Sequence, residues 1–174
     1  VRGGISPFKL EVAKFLLASG SKTGDQDLLD ELSCLTNVAK RSIAGVITTN
    51  YDSLAEETFA GYNVFVGQEQ LLFGRTQGIA EIYKIHGCCQ HPGTLVLTRA
   101  DYDQFSARNV YLAAKLLTVF IEHPIIFLGY SINDPNIQEI LRAIVNCLSQ
   151  QNLGQLQRRL VFIEYDADLE TPEV

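Results

Sequence analysis

Three stretches of the chain gather side chains that can hold sugars, phosphates and water. The first is Gly45-Val46-Ile47-Thr48-Thr49-Asn50-Tyr51-Asp52, an apolar run that stops on a polar cluster. Asn50 carries a donor and an acceptor on one amide, which suits a sugar hydroxyl or a fixed water. Asp52 can accept from an amide or a hydroxyl. The second stretch is Lys84-Ile85-His86-Gly87. An imidazole at the tip of a strand has a pKa suited to a base near neutral pH. The third is Phe127-Leu128-Gly129-Tyr130-Ser131-Ile132-Asn133-Asp134-Pro135-Asn136. Gly129 lets a ligand approach the backbone, and Ser131 and Asn133 can donate to oxygens. A helix capped by Asp134 or Asn133, with Pro135 in its first turn, points free N–H groups and positive partial charge at the loop, a seat for phosphate. Each stretch has a plainer reading: a capping network with Asp52 or Ser53, a structural histidine bonded to backbone, and an ordinary strand-to-helix turn. Three polar strand ends in one chain favour a nucleotide at the carboxyl edge of an open α/β sheet.

The elements that must position these residues follow from hydrophobic spacing. Ser6-Pro7 opens a helix with Phe8, Val12, Phe15 and Leu16 on one face, and residues 20–24 form a loop. Residues 27–38 read as a second helix burying Leu28, Leu29, Leu32 and Leu35. A strand covers 43–48, and a short helix over 53–59 stops at Gly61. Residues 62–66 are a short strand and 67–78 are loop-rich. Strands follow at 81–85 and 94–98, then a helical turn at 101–105 and a largely buried helix at 110–122. Residues 124–128 form a strand apolar throughout, as a parallel strand covered on both faces would be. A helix at 136–148 keeps Ile137, Ile140, Leu141, Ile144, Val145 and Leu148 in register, and a strand at 160–163 closes the series. This alternation predicts an α/β fold: a mainly parallel, Rossmann-like sheet flanked by helices, without a zinc module. Nothing marks a second domain, so residues 1–174 read as one.

Bulk properties narrow the function classes. The 174 residues carry a formal net charge of −6 and no block of like charge, which argues against nucleic-acid binding through a basic surface. No apolar run is long enough to cross a bilayer, and no signal peptide is expected from the opening residues. Cys34, Cys88, Cys89 and Cys147 form no C-x-x-C pair, so a ribbon-type zinc site is not expected. They read as reduced thiols of a cytoplasmic protein. Methionine is absent and the chain opens on Val1-Arg2-Gly3-Gly4. That pattern reads as a piece of a larger protein, or as a chain whose methionine positions are written otherwise.

The strand end Thr48-Thr49-Asn50-Tyr51-Asp52, the strand end Lys84-Ile85-His86-Gly87 and the turn Gly129-Tyr130-Ser131 followed by Asn133 and Asp134 resemble, in that order, the sirtuin-like NAD-dependent family. They are most similar to its zinc-free bacterial branch, whose members often act in antiviral defence. Leu97-Thr98-Arg99-Ala100-Asp101-Tyr102 is similar to the family's Thr-x-x-x-Tyr segment. The resemblance covers about residues 43–144. It implies that Asn50 lies near the nicotinamide ribose and the attacking water, Asp52 near the nicotinamide amide, and that His86 is a general base or ribose-hydroxyl partner. Thr48 and Thr49 would share the cofactor-binding edge. Gly129 and Ser131 would line the phosphate and adenosine-ribose side, and Glu164 loosely matches a position that touches the adenosine.

The departures are specific. The family opens on a strand and a glycine-rich turn that cradles the pyrophosphate. Gly3-Gly4-Ile5-Ser6 has no strand before it and is not that motif. The zinc cysteines of the deacylase branch are missing. The resemblance therefore implies an NAD+ glycohydrolase that takes NAD as substrate, needs no metal, and releases nicotinamide and ADP-ribose. The alternatives are a silent module that binds NAD or ADP-ribose and an NAD-dependent protein deacylase. Homo-oligomerisation and further domains of the full-length protein are compatible with each.

Overall fold

The strand segments are short and rich in β-branched and aromatic residues, the composition that fits a pleated and partly buried surface. In the computed structural model, which describes residues 4–19, 26–108, 110–129 and 134–163, they form two parallel sheets. The chain divides into two compact units, Val1–Gln104 and Phe105–Val174.

In the first unit, helix α1 (Pro7–Ser19) and helix α2 (Gln26–Ser42) precede strand β1 (Gly45–Thr48). Helix α3 (Leu54–Thr58), strand β2 (Asn63–Val66), helix α4 (Gly67–Phe73) and strand β3 (Glu81–Lys84) follow. The sheet order is β1-β3-β2, all parallel, so β3 is central, and all four of its residues are buried. Ile82 has no exposed surface and packs with Phe59 in a cluster joined by Leu35, Ile43, Val46, Ala55 and Tyr62. The Tyr62 hydroxyl donates to the Ile43 carbonyl at 2.7 Å, and the Thr36 hydroxyl on α2 donates to the Thr58 carbonyl at 3.0 Å. The polar tips of these half-buried side chains are thereby satisfied without water.

Beyond β3 the chain makes a tight turn and a 3₁₀ turn (Pro92–Thr94), then enters helix α5 (Arg99–Arg108). The expected strand at 94–98 is not formed. Val96 donates from its backbone to the His86 carbonyl and accepts from the Tyr51 hydroxyl, so its polar groups serve a loop junction instead of a ladder. The loop expected over 67–78 contains α4, and the helical turn expected at 101–105 is part of the longer α5.

The expected apolar face of α1 is also revised. Phe8 and Phe15 are exposed, while Ala13 is buried against Cys89 and Leu95 with Leu16 beside it. A small side chain at Ala13 lets α1 lie close to the segment after β3. On α2, Leu32 and Leu35 are half-buried as expected, whereas Leu28 and Leu29 are exposed.

The second unit contains α6 (Val110–Glu122), β4 (Ile125–Leu128), α7 (Pro135–Cys147), α8 (Gln150–Gln157) and β5 (Leu160–Ile163). β4 and β5 pair in parallel across the helical crossover, the connection that parallel neighbours require. Leu112, Leu116 and Phe120 recur every four residues on α6 and are buried, as are Ile137, Ile140 and Ile144 on α7. Burying each such side chain contributes roughly 1.5–3 kcal/mol. Phe127 stacks on Phe162 with centroids 4.3 Å apart and meets Phe120 edge-on at 6.0 Å. Ile126 and Leu128, on the opposite face of β4 by strand alternation, are exposed rather than covered. The mostly apolar α6 is likewise buried on one face rather than all round.

Candidate functional site

Parallel pairing sets the geometry of the first two polar strand ends. Thr48 of β1 and Lys84 of β3 are register partners, and the Ile85 N–H donates to the Thr48 carbonyl at 3.1 Å. Asn50 and His86 each follow two residues later, so both emerge at the carboxyl edge of the same sheet. That edge is where open α/β sheets bind ligands.

The loop after β1 is fixed at every residue from 50 to 52. The Asn50 N–H donates to Thr48 Oγ1 at 3.0 Å, leaving the Asn50 side chain exposed. The Tyr51 hydroxyl donates to the Val96 carbonyl at 2.7 Å, and the Tyr51 carbonyl accepts from the Cys89 N–H at 2.9 Å. Asp52 Oδ1 accepts the Leu54 N–H at 3.1 Å from the position before the N-cap, while the N-cap Ser53 makes no capping bond and donates its hydroxyl to Glu57. Lys84 Nζ reaches under this loop. It donates to the Asp52 carbonyl and to Glu56 Oε1, the latter at 2.7 Å, and the Lys84 side chain is fully buried. Glu56 Oε2 is buried and has no hydrogen-bond partner among the described residues.

The turn after β3 holds the histidine. His86 is 2 % exposed, and its carbonyl accepts the Val96 N–H at 3.0 Å. Its ring meets Tyr102 edge-on, with centroids 5.3 Å apart and planes at 77°. Gly87 follows with φ +94°, and a Cβ there would collide with the Thr94 backbone. Only glycine meets both conditions without strain.

Tyr102 is itself held by the start of α5. Thr98 Oγ1 accepts the Asp101 N–H at 3.2 Å, while Asp101 Oδ2 takes the N–H groups of Thr98 and Leu97 at 2.9 and 3.1 Å. This reciprocal arrangement is a capping box with aspartate in place of glutamate. Lys9 of α1 donates to Asp101 Oδ1 at 2.6 Å. Burial raises the Asp101 pKa, but the Lys9 ammonium and the donors of Thr98 and Leu97 outweigh it and hold the carboxyl down to about 2.

Cys88 and Cys89 lie buried beside this turn, and both are free thiols, as is the exposed Cys34. Burial, with the neighbouring Cys88, pushes the Cys89 thiol up, which makes it a poor nucleophile. Among the described residues no group of three or more His, Cys, Asp and Glu side chains could hold a metal ion.

The remaining expected site residues belong to the second unit. Gly129 follows β4 with φ +57° and is exposed. Asp134, rather than Asn133, caps α7, accepting from the N–H groups of Asn136 and Ile137 at 2.9 and 3.2 Å. Two donors that an anion would use at that helix start are therefore already engaged. Ser131 and Glu164 lie outside the described residues. Thr48 and Thr49 stand half-buried at the edge with Asn50.

Lys84, Glu56 and the Lys9–Asp101 pair were not singled out from the sequence as site residues. The one legible signal was a lysine inside a strand otherwise fit for burial.

A family model described as SIR2-like domain matches residues 44–173, three quarters of the chain. The chain belongs to the SIR2-like domain family. Its relatives include proteins named NAD(+) hydrolase ThsA. That of Bacillus cereus (strain MSX-D12) is 30 % identical over 131 residues, covering 69 % of this chain and 28 % of the relative. That of Cytobacillus dafuensis is 33 % identical over 101 residues, covering 56 % and 20 %. That of Acinetobacter baumannii (strain 532279) is 29 % identical over 114 residues, covering 62 % and 23 %. The matched part of this chain spans about a quarter of the length of these relatives. Its α/β architecture, with parallel strands flanked by helices, is the class that the strand-and-helix alternation predicts. No helix among its described residues is long and apolar enough to cross a membrane.

Proposed function

We propose that this SIR2-like domain is the catalytic module of an NAD+ glycohydrolase that releases nicotinamide and ADP-ribose. The observation that carries the reading is the register of β1 and β3, which brings Asn50 and His86 to one sheet edge. The family membership and the NAD(+) hydrolase names of the relatives support it.

Breaking the nicotinamide–ribose bond develops positive charge on the ribose, and a site gains by orienting dipoles toward that charge before it forms. In this reading the exposed Asn50 amide orients the attacking water. His86 takes a proton directly or through a ribose hydroxyl. Asp52 serves the nicotinamide amide with the oxygen that its bond to Leu54 leaves over. Thr48 and Thr49 line the same edge; for Gly129, Ser131 and Glu164 the ground for a role toward the phosphates and adenosine is the family resemblance alone.

The single domain over 1–174, a cytoplasmic location, a role in bacterial antiviral defence, and homo-oligomers or further domains are parts of the same proposal. The free Cys34, Cys88 and Cys89 suit a reducing compartment.

The test is incubation of the intact protein with NAD+, alone and with an acylated peptide. Nicotinamide release without peptide is the expected result. Release only with peptide would mean a deacylase, and binding without release would mean a sensor module. Either outcome overturns the hydrolase reading.

A further inference from the structure

Lys84 is the one fully buried lysine among the described residues, and it ends the central strand. Burying an ammonium costs several kcal/mol unless it is paired and hydrogen-bonded. An apolar side chain would fill the end of β3 more simply. Lys84 instead gives one donor to the carbonyl of Asp52 and another to Glu56. The Asp52 carbonyl lies two residues after Asn50, and Lys84 itself lies two residues before His86. One side chain therefore couples the loop that carries the water-orienting amide to the turn that carries the base.

We propose that Lys84 is a positioning residue for NAD cleavage, with Glu56 as the counter-charge that makes its burial tolerable. Lys84 acts through the Asp52 backbone. It fixes the height of the 50–52 loop above the sheet edge and so the placement of Asn50 relative to His86. A small misplacement of a catalytic group can cost on the order of 100-fold in rate, so a bond to the loop backbone governs turnover without touching substrate. This inference rests on the reading of Asn50 and His86 as catalytic residues.

Replacing Lys84 alone strands the Glu56 carboxylate and threatens folding. The informative variant is therefore Lys84→Met with Glu56→Gln, which removes both charges together. In the intact protein this pair is expected to melt near the wild-type temperature and to lose about 10-fold or more in kcat, with KM for NAD+ within about threefold. Hydrogen exchange at the amides of residues 50–54 should quicken about 10-fold or more while the β3 amides stay protected.

A double variant with kcat within about twofold of wild type overturns the proposal, as does a loss confined to KM. Unchanged exchange at residues 50–54 overturns it as well, and that measurement needs no activity. A wild-type protein that leaves NAD+ intact, yet shows the quickened exchange in the double variant, refutes the hydrolase reading and keeps Lys84 as the loop's anchor.

Discussion

The ring of His86 rests edge-on against Tyr102, with centroids 5.3 Å apart, and Tyr102 belongs to the second turn of a helix whose start is clamped by Thr98, Asp101 and Lys9. The pose of the candidate base is thus set from two directions. The turn after β3 fixes its backbone and α5 fixes its ring. Aromatic edge contacts of this kind are worth about 0.5–1.5 kcal/mol beyond buried area.

Tyr102→Leu keeps an apolar side chain but removes the aromatic edge contact. It should destabilise the fold by about 1 kcal/mol, read as a lower urea midpoint. In an NAD+ cleavage assay it should lower kcat more than it changes KM, because the ring of His86 loses its lateral support. A variant with wild-type kcat would show that the contact serves packing alone.

Asp101 makes stability pH-dependent in a defined window. Folding lowers its pKa from an ordinary 3.8 to about 2, so the folded chain binds fewer protons than the unfolded chain between those values. The carboxylate's stabilisation is fully present above about pH 4 and is lost as pH falls through 2. After allowance for solvent screening it amounts to about 1–2 kcal/mol. Asp101→Asn should be less stable than wild type at pH 7 by that amount, with the difference closing at about pH 2. A constant difference across acid titration of the melting temperature would contradict the assignment.

Gly87→Ala should be strongly destabilising. The position combines φ +94° with a collision between the new Cβ and the Thr94 backbone. The left-handed conformation alone costs about 1–2 kcal/mol for an L side chain, and displacement of residues 94–96 adds to it. Gly129→Ala meets only the backbone penalty, since nothing lies within 4 Å of the added Cβ. Thermal melting of the two variants should rank Gly87→Ala as clearly worse, and equal losses would contradict this account of the turn.

Asp52 has a structural role that is independent of any ligand. Asp52→Ala should cost about 1 kcal/mol through loss of the acceptor for the Leu54 N–H at the start of α3, whereas Asp52→Asn keeps that acceptor and should melt close to wild type. Reduced nicotinamide release by the stable Asp52→Asn would then reflect the ligand role alone. Equal melting temperatures for wild type and Asp52→Ala would remove the structural claim.

Much of the first unit was legible in the sequence because its signals are local. The apolar run of β1 ends abruptly on Thr48-Thr49-Asn50 and the strand β3 runs into His86-Gly87, and a strand that stops on polar residues announces an edge. Helix α6 was legible from its mostly apolar composition and α7 from the spacing of Ile137, Ile140 and Ile144, and the buried face of α6 then proved to be Leu112, Leu116 and Phe120.

Helix α4 was hidden by Gly67 and Gly74 at its two ends, which read as loop although Gln68 to Phe73 between them form helix readily. Helix α8 was hidden by its polar composition and by Gly154. The coverage of β4 was misjudged because a continuous apolar run does not reveal how many strands or helices flank it. The Lys84–Glu56 pair was illegible for a different reason. Its partners lie 28 positions apart and meet only once β1 and β3 are paired.

The Asn50 amide at this sheet edge is proposed to serve cleavage of the nicotinamide–ribose bond. Asn50 is exposed and only its backbone N–H is tied to Thr48, so Asn50→Ala should fold and melt as wild type does. The direct measurement is the rate of nicotinamide release from NAD+ by the intact protein and by this variant. The account predicts a loss of about 100-fold or more at an unchanged melting temperature. Release at the wild-type rate would contradict it.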